Sequence, residues 1–211
     1  MALVDITWTT ADAAPVTDFT GIVGDMQVWG DFNFTPEKYI MKGDTGAAHE
    51  AVRYSGATSF TGDHKCKATM WNLDAASFNY AGPAVRCQSG AVTYYYIEGY
   101  QGGHKIVKAV AGTRTDIATG GAALTDGDVL ELEANGSTIQ ARVNGTDTVS
   151  ATDTAITGGV PGFASGWGGG RGNDHWIGED VGGGTTVDEI AASAISVVAG
   201  QPTIYGPGVN R

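Results

Sequence analysis

Hydrophobic and polar positions alternate most regularly over residues 125–149, in the run TDGDVLELEANGSTIQARVNGTDTV. Leu130 and Leu132 alternate with Glu131 and Glu133, and Ile139, Ala141 and Val143 alternate with Gln140 and Arg142. A period of two places one face of a strand in a core and the other in water. Asn135-Gly136 and Asn144-Gly145 divide the stretch, and Asn-Gly tolerates the φ > 0 that a tight hairpin turn requires. The pattern predicts three short strands in an antiparallel meander.

The rest of the chain reads as short strands separated by glycine and proline. An entry strand is expected around residues 6–9, and residues 25–34 read as a strand kinked or bulged at Gly30. Further strands are expected at residues 39–41, 49–54, 63–71, 84–88, 92–100, 105–112 and 115–118, with Gln101-Gly102-Gly103 closing one hairpin. Beyond Val149, residues 158–163 lead into a strand, and residues 166–184, rich in glycine, read as a long loop. Residues 186–198 read as a closing strand, because their β-branched residues cluster and no helix cap precedes them. With no fixed-period repeat and no dividing linker, the expected organisation is an entry strand or arm over 1–18 and one domain over 19–198. Residues 199–211 would be a Pro/Gly tail or docking arm.

Composition agrees with this all-β reading. The chain has 211 residues, 33 of them glycine, and only 17% are charged. A net charge of −11 repels phosphate backbones and anionic lipid, so neither nucleic acid nor a membrane surface is an expected partner. No run approaches the ~18 apolar residues of a membrane helix, so membrane insertion is not expected. Met1-Ala2-Leu3-Val4-Asp5 lacks a basic n-region, and no secretory signal is expected.

Cys66 and Cys87 are the two cysteines. If residues 65–70 and 83–88 pair as a hairpin, the two thiols face each other at the separation a disulfide needs. The alternative is two free thiols buried in a sheet.

Ala81-Gly82-Pro83-Ala84-Val85-Arg86-Cys87 precedes a tyrosine-rich strand, Leu124, Gly127-Asp128, Leu130, Leu132, Gly136, Ile139 and Val143-Asn144-Gly145. This pattern resembles the concanavalin A-like (laminin-G-like) jelly roll. Ile156-Thr157-Gly158-Gly159, Pro161-Gly162-Phe163 and Val187-Asp188 fit the same scheme. The resemblance implies an all-β, two-sheet antiparallel sandwich over residues 19–198. It says little about activity, since the fold hosts lectins, glycanases, lyases and structural modules. A glycine-, alanine- and threonine-rich acidic chain with a short Pro/Gly tail is also similar to phage and virus structural proteins that carry such domains.

Glycanases of this fold use paired carboxylates in a Glu-x-Asp-x-x-Glu motif. Glu131/Glu133, Glu179-Asp180 and Asp188-Glu189 are the nearest acidic pairs, and none reproduces it. Lyases of this fold need a Tyr/His pair with Arg and Gln. Tyr94, Tyr96, His104 and Arg86 would assemble one, although alternating tyrosines also suit ordinary sheet packing. Glycan binding points to the glycine-rich stretch carrying Trp167, Asn173, Asp174, His175 and Trp176, where glycine lets backbone approach a ligand. The competing reading has Trp176 plugging the core. Asp174, Glu179 and Asp180 are a calcium-ligand candidate, since calcium takes 6–8 oxygens; no other cofactor is expected.

The functional expectation is a non-enzymatic structural or binding module: a virion component such as a head decoration, head fibre or tail appendage. It would be assembled in the host cytoplasm, docking on other virion proteins or on itself. The alternative is an extracellular carbohydrate-binding module that recognises cell-surface glycans through the tryptophan loop. A glycanase or polysaccharide lyase ranks third.

Overall fold

The structure is a computed structural model, and it describes residues 2–12, 14, 16–31, 37–43, 49–166 and 171–182. Its strands in chain order are β1 (Leu3–Thr7), β2 (Phe19–Val23), β3 (Met26–Asp31), β4 (Lys38–Gly43), β5 (Glu50–Tyr54), β6 (His64–Trp71), β7 (Ala81–Cys87) and β8 (Tyr94–Tyr100). They continue as β9 (Gly103–Val110), β10 (Thr113–Thr119), β11 (Val129–Asn135), β12 (Thr138–Val143), β13 (Thr146–Thr152), β14 (Val160–Ser165) and β15 (Gly172–Asp180). The described residues contain no helix.

These strands form two antiparallel sheets packed face to face. The eight-stranded sheet runs β13-β12-β11-β6-β15-β4-β3, with β1 also paired to β15. The seven-stranded sheet runs β10-β9-β8-β7-β14-β5-β2. Alternate residues of both sheets fill the space between them: Met70, Leu130, Leu132 and Ile139 from one, Val52, Val85, Tyr95, Ile97, Ile106 and Phe163 from the other. Removing such large apolar side chains from water contributes ~1.5–3 kcal/mol each and is the main force closing the sandwich. A buried scaffold locks one rim. Arg86, 2% exposed, donates to the carbonyls of Gly62, Ile156 and Gly136 and to Asp63, and its amide donates to His64 Nε2.

The meander over β11–β13 forms as its alternation predicts, with Leu132 opposite Ala141 and Glu133 opposite Gln140. Asn144 and Gly145 both have φ > 0 (51° and 79°), as a type I′ turn requires. In the β11–β12 turn the positive φ falls on Gly136, at 56°.

Three expectations are corrected. Strand β3 passes through Gly30 without a kink, in unbroken register with β4. A Cβ there would lie 2.3 Å from Glu37 Oε1, the movable end of a side chain. Cys66 and Cys87 do not lie on paired strands: β6 and β7 belong to different sheets, and both thiols are free and buried. Cys66 donates to the Gly162 carbonyl at 3.2 Å. Residues 172–180, read as loop, form the nine-residue strand β15 between β6 and β1. The expected strand over 186–198 and tail over 199–211 lie outside the described residues, as do Phe32 and Phe34.

Candidate functional site

Strand β15 distributes the residues first considered for glycan binding to different surroundings. Trp176 is fully buried, its ring centroid 5.0 Å from Phe19 and 5.9 Å from Tyr54, and its indole N–H donates to the Gly162 carbonyl at 3.1 Å. It plugs the core and offers no face to a sugar. Asn173 is buried as well, and its Oδ1 accepts from the Trp8 indole at 3.2 Å. Asp174 pairs with Lys38 at 3.1 Å, and His175 meets Asp5 at 2.6 Å. Trp167 lies outside the described residues.

The same strand separates the calcium candidates. Glu179 turns to the outer face, beside Lys65 at 3.2 Å. Asp180 turns inward and accepts from the Ala2 and Thr61 amides, each at 2.8 Å. Burial raises the Asp180 pKa, but these amides and the Thr61 hydroxyl outweigh it and hold the carboxyl below its ordinary range. With Asp174 on Lys38, the three carboxylates do not converge. No group of three or more His, Cys, Asp or Glu among the described residues could hold a metal ion.

What the fold does assemble lies on the outer face of the seven-stranded sheet. Along β8, Tyr95 and Ile97 point into the core while Tyr94 and Tyr96 point to the opposite face, and Glu98 follows in the same alternation. Small residues neighbour them: Ala84 opposite Tyr96, then Ala51, Ala109 and Ala164. His49, just before β5, stacks on Tyr94 with centroids 5.9 Å apart and lies 5.3 Å from Tyr96. Its two ring nitrogens meet the hydroxyls of Tyr80 and Tyr94. A neutral imidazole has one N–H and one lone pair, so one tyrosine accepts from the ring and the other donates to it.

Arg114 on β10 closes this group. Its guanidinium carbon lies 5.3 Å from the Tyr80 ring centroid and 5.7 Å from that of Tyr96. It donates to the Tyr96 hydroxyl at 2.5 Å and to Glu98. Glu98, 3% exposed, also accepts from Tyr96 at 2.9 Å and pairs with Lys105 at 2.9 Å. Burial, and then the charge of Arg114, lowers the His49 pKa to about 4, so the ring is neutral at pH 7. Burial raises Tyr80 to about 12 and pushes Tyr94 and Tyr96 upward too. The result is a buried, internally hydrogen-bonded aromatic cluster under a charged rim. The tyrosine rings are buried, whereas the Arg114 side chain is 38% exposed.

Of the Tyr/His/Arg set considered from the sequence, Tyr94 and Tyr96 belong to this cluster, whereas Arg86 and His104 do not. Arg86 is spent on the rim scaffold described above, and His104 is held by Thr148 Oγ1 at 2.7 Å and the Ala122 carbonyl at 3.2 Å. His49 and Arg114 occupy their places. Glu131 and Glu133 share Arg142, at 2.5 and 2.6 Å, on the outer face of the other sheet.

No family model and no curated protein matches the sequence. Among solved structures, the chain is similar to the carbohydrate-binding module CBM66 from Bacillus subtilis: TM-score 0.54, 14% identity, covering 78% of this chain and 93% of that one. It is also similar to a Bacillus subtilis protein of unknown function with a galectin-like fold (TM-score 0.48, 9% identity, 85% and 96% covered). A third similarity is to domain 4 of AbnA, an extracellular arabinanase of Geobacillus stearothermophilus, in complex with arabinotriose (TM-score 0.44, 11% identity, 82% and 85% covered). At these identities the likeness is one of fold. The molecule is a two-sheet jelly-roll β-sandwich, consistent with the concanavalin A-like resemblance.

Proposed function

We propose that the protein is a non-catalytic carbohydrate-binding module that takes its glycan on the outer face of the seven-stranded sheet. The observation that carries this reading is the His49–Tyr80–Tyr94–Tyr96 cluster with Arg114 stacked at its exposed edge. Sugars are recognised by polar groups held at fixed positions beside flat, weakly polar surfaces. The tyrosine rings are buried and their hydroxyls bonded within the cluster, so the group offered to a ligand is the Arg114 guanidinium, which they hold in place so that little side-chain entropy is lost when a ligand arrives. The sandwich it shares with a carbohydrate-binding module supports the same reading. Binding rather than turnover fits the tyrosines, whose hydroxyls are buried and already engaged with His49, Arg114 and Glu98.

The virion-component reading rests on composition, and no feature of the fold or the cluster favours it over glycan recognition. A glycan array probed with wild type and with Arg114→Ala tests the proposal. Specific binding that weakens about tenfold or more in the variant is the expected result, as removal of a charged hydrogen-bond donor predicts. Silence across the array from folded wild type would overturn it and return attention to a scaffold role.

A further inference from the structure

A second feature lies on the same sheet face, about three strand spacings (~14 Å) from Tyr96. Arg53 on β5 lies opposite Gly162 of β14 and Thr20 of β2. Val52 and Tyr54 point into the core and Ala51 to the outer face, so Arg53 shares the outer face with Ala51. It lines a cleft of about 290 Å³ together with Gly21, Ile22, Gln88, Gly90 and Val92, at the low end of ligand-pocket size.

Arg53 stands apart in its charge environment. Among the described residues, Lys38, Lys65, Lys67, Arg86, Lys105, Lys108, Arg114, Arg142 and Arg171 each pair with a carboxylate. Lys42 lies over the Trp29 ring, 4.6 Å from its centroid. Arg53 has neither a carboxylate nor a ring among the described residues, in a chain with 23 acidic and 12 basic side chains. Where acids outnumber bases about two to one, a half-buried guanidinium at a cleft whose described lining carries no carboxylate is suited to an anion. Its planar fork matches a carboxylate or sulfate.

The other walls suit a sugar ring. Ile22 and Val92 supply apolar contact, and Gly21 is packed against its own turn, where a Cβ would meet the Gly24 carbonyl at 2.2 Å and Asp25 Oδ1 at 2.5 Å. Gln88 Nε2 donates to the Gly158 carbonyl, and among the described residues its Oε1 is left to accept from a hydroxyl. We infer that this cleft binds an anionic sugar unit, with Arg53 on its carboxylate or sulfate. The inference rests on the glycan-binding reading and narrows it to a ligand class. The net charge of −11 opposes a densely charged polyanion, so the favoured ligand carries isolated acidic units on a neutral chain.

Titration of the full-length protein tests this, with three oligosaccharide pairs as probes. One is a xylo-oligosaccharide with and without a single glucuronate branch. Another is a galactan oligosaccharide with and without a single sulfate. The third compares the singly branched xylo-oligosaccharide with a fully charged oligogalacturonate. The expected result is at least tenfold tighter binding of the glucuronate or sulfate member over its neutral parent, with oligogalacturonate weaker. Which of the two anions gains more identifies the source. Arg53→Gln should erase that preference and keep the affinity for the neutral parents, with near-ultraviolet circular dichroism unchanged. A preference that survives Arg53→Gln overturns the inference. Equal binding of acidic and neutral members, weakened by Arg114→Ala, overturns it while leaving the glycan-binding reading intact. Absence of binding to every probe and to the array overturns both.

Discussion

The two outer faces of this sandwich handle charge in opposite ways. On the eight-stranded sheet, charges alternate across neighbouring strands: Lys65 and Lys67 meet Glu179, Lys67 also meets Glu131, and Arg142 gathers Glu131, Glu133 and Asp147. Every group there is satisfied by a cross-strand neighbour, as on any solvated sheet surface. On the seven-stranded sheet, Glu98 is sunk beneath Tyr96, Arg114 and Lys105, a histidine is held neutral between two tyrosines, and Arg53 is left over. A face that only has to dissolve balances its charges locally. Glu98 nearly vanishes from the surface while Arg53 has no carboxylate among the described residues, and the proposed binding face is the one that carries both.

The largest expected effect removes a rival to that assignment. Trp176→Ala opens a cavity in the core and should destabilise the fold by about 3–5 kcal/mol in urea unfolding. A loss below about 1 kcal/mol would mean that the tryptophan is not the core plug described here, and would reopen the β15 residues as a binding surface.

Next in size is the acid response of the seven-stranded face. The His49 pKa falls from 6.5 to about 4 on folding, so between those values the unfolded chain binds more protons than the native state. Stability from this group is therefore complete above pH 6.5 and is lost as the pH falls toward 4. Its size is about 3 kcal/mol from the width of that window. Burial lowers His64 and His104 as well, so the informative measurement is the difference between wild type and His49→Gln. Gln can hold both tyrosine hydroxyls without titrating. The variant should be flatter over pH 4–6.5 by that amount, and identical slopes would show that His49 is not buried against the tyrosines.

The meander and the cluster show how far sequence reasoning reaches. The β11–β12 register follows from a local alternation and an Asn-Gly turn, whereas β12–β13 carries a bulge between Ala141 and Arg142 that the alternation does not announce. The cluster draws on His49, Tyr80, Tyr94, Tyr96, Glu98 and Arg114, which meet only because the sheet order is β10-β9-β8-β7-β14-β5. No period in the chain encodes that order. One signal was present: Tyr94, Tyr96 and Glu98 alternate on one side of β8, which marks a polar-aromatic strand face though not its partners. Strand β15 was hidden for a different reason. Its glycines at 172 and 178 sit where side chains would collide, with Met41 O at 1.9 Å and with the Trp176 ring at 2.7 Å respectively. Close packing, not looseness, put them there.

A smaller effect is expected on the eight-stranded face. Glu179→Gln weakens two ion pairs of half-exposed groups at 3.2 and 3.9 Å, and such pairs contribute about 0–1 kcal/mol. The change should shrink further in high salt and leave glycan binding untouched. A binding loss equal to that of Arg114→Ala would erase the distinction between the faces.

The smallest stability change belongs to Arg53→Gln. A half-exposed side chain with no carboxylate among the described residues has little to lose on truncation, so unfolding should shift by no more than about 0.5 kcal/mol. Paired with loss of acidic-sugar preference, a near-zero shift would separate this cation from Arg142, whose removal leaves Glu133 without its cation and Glu131 with Lys67 alone. A destabilisation above about 1.5 kcal/mol would instead place Arg53 among the structural ion pairs. Its cleft would then be part of the scaffold, and the two faces would differ in aromatic content alone.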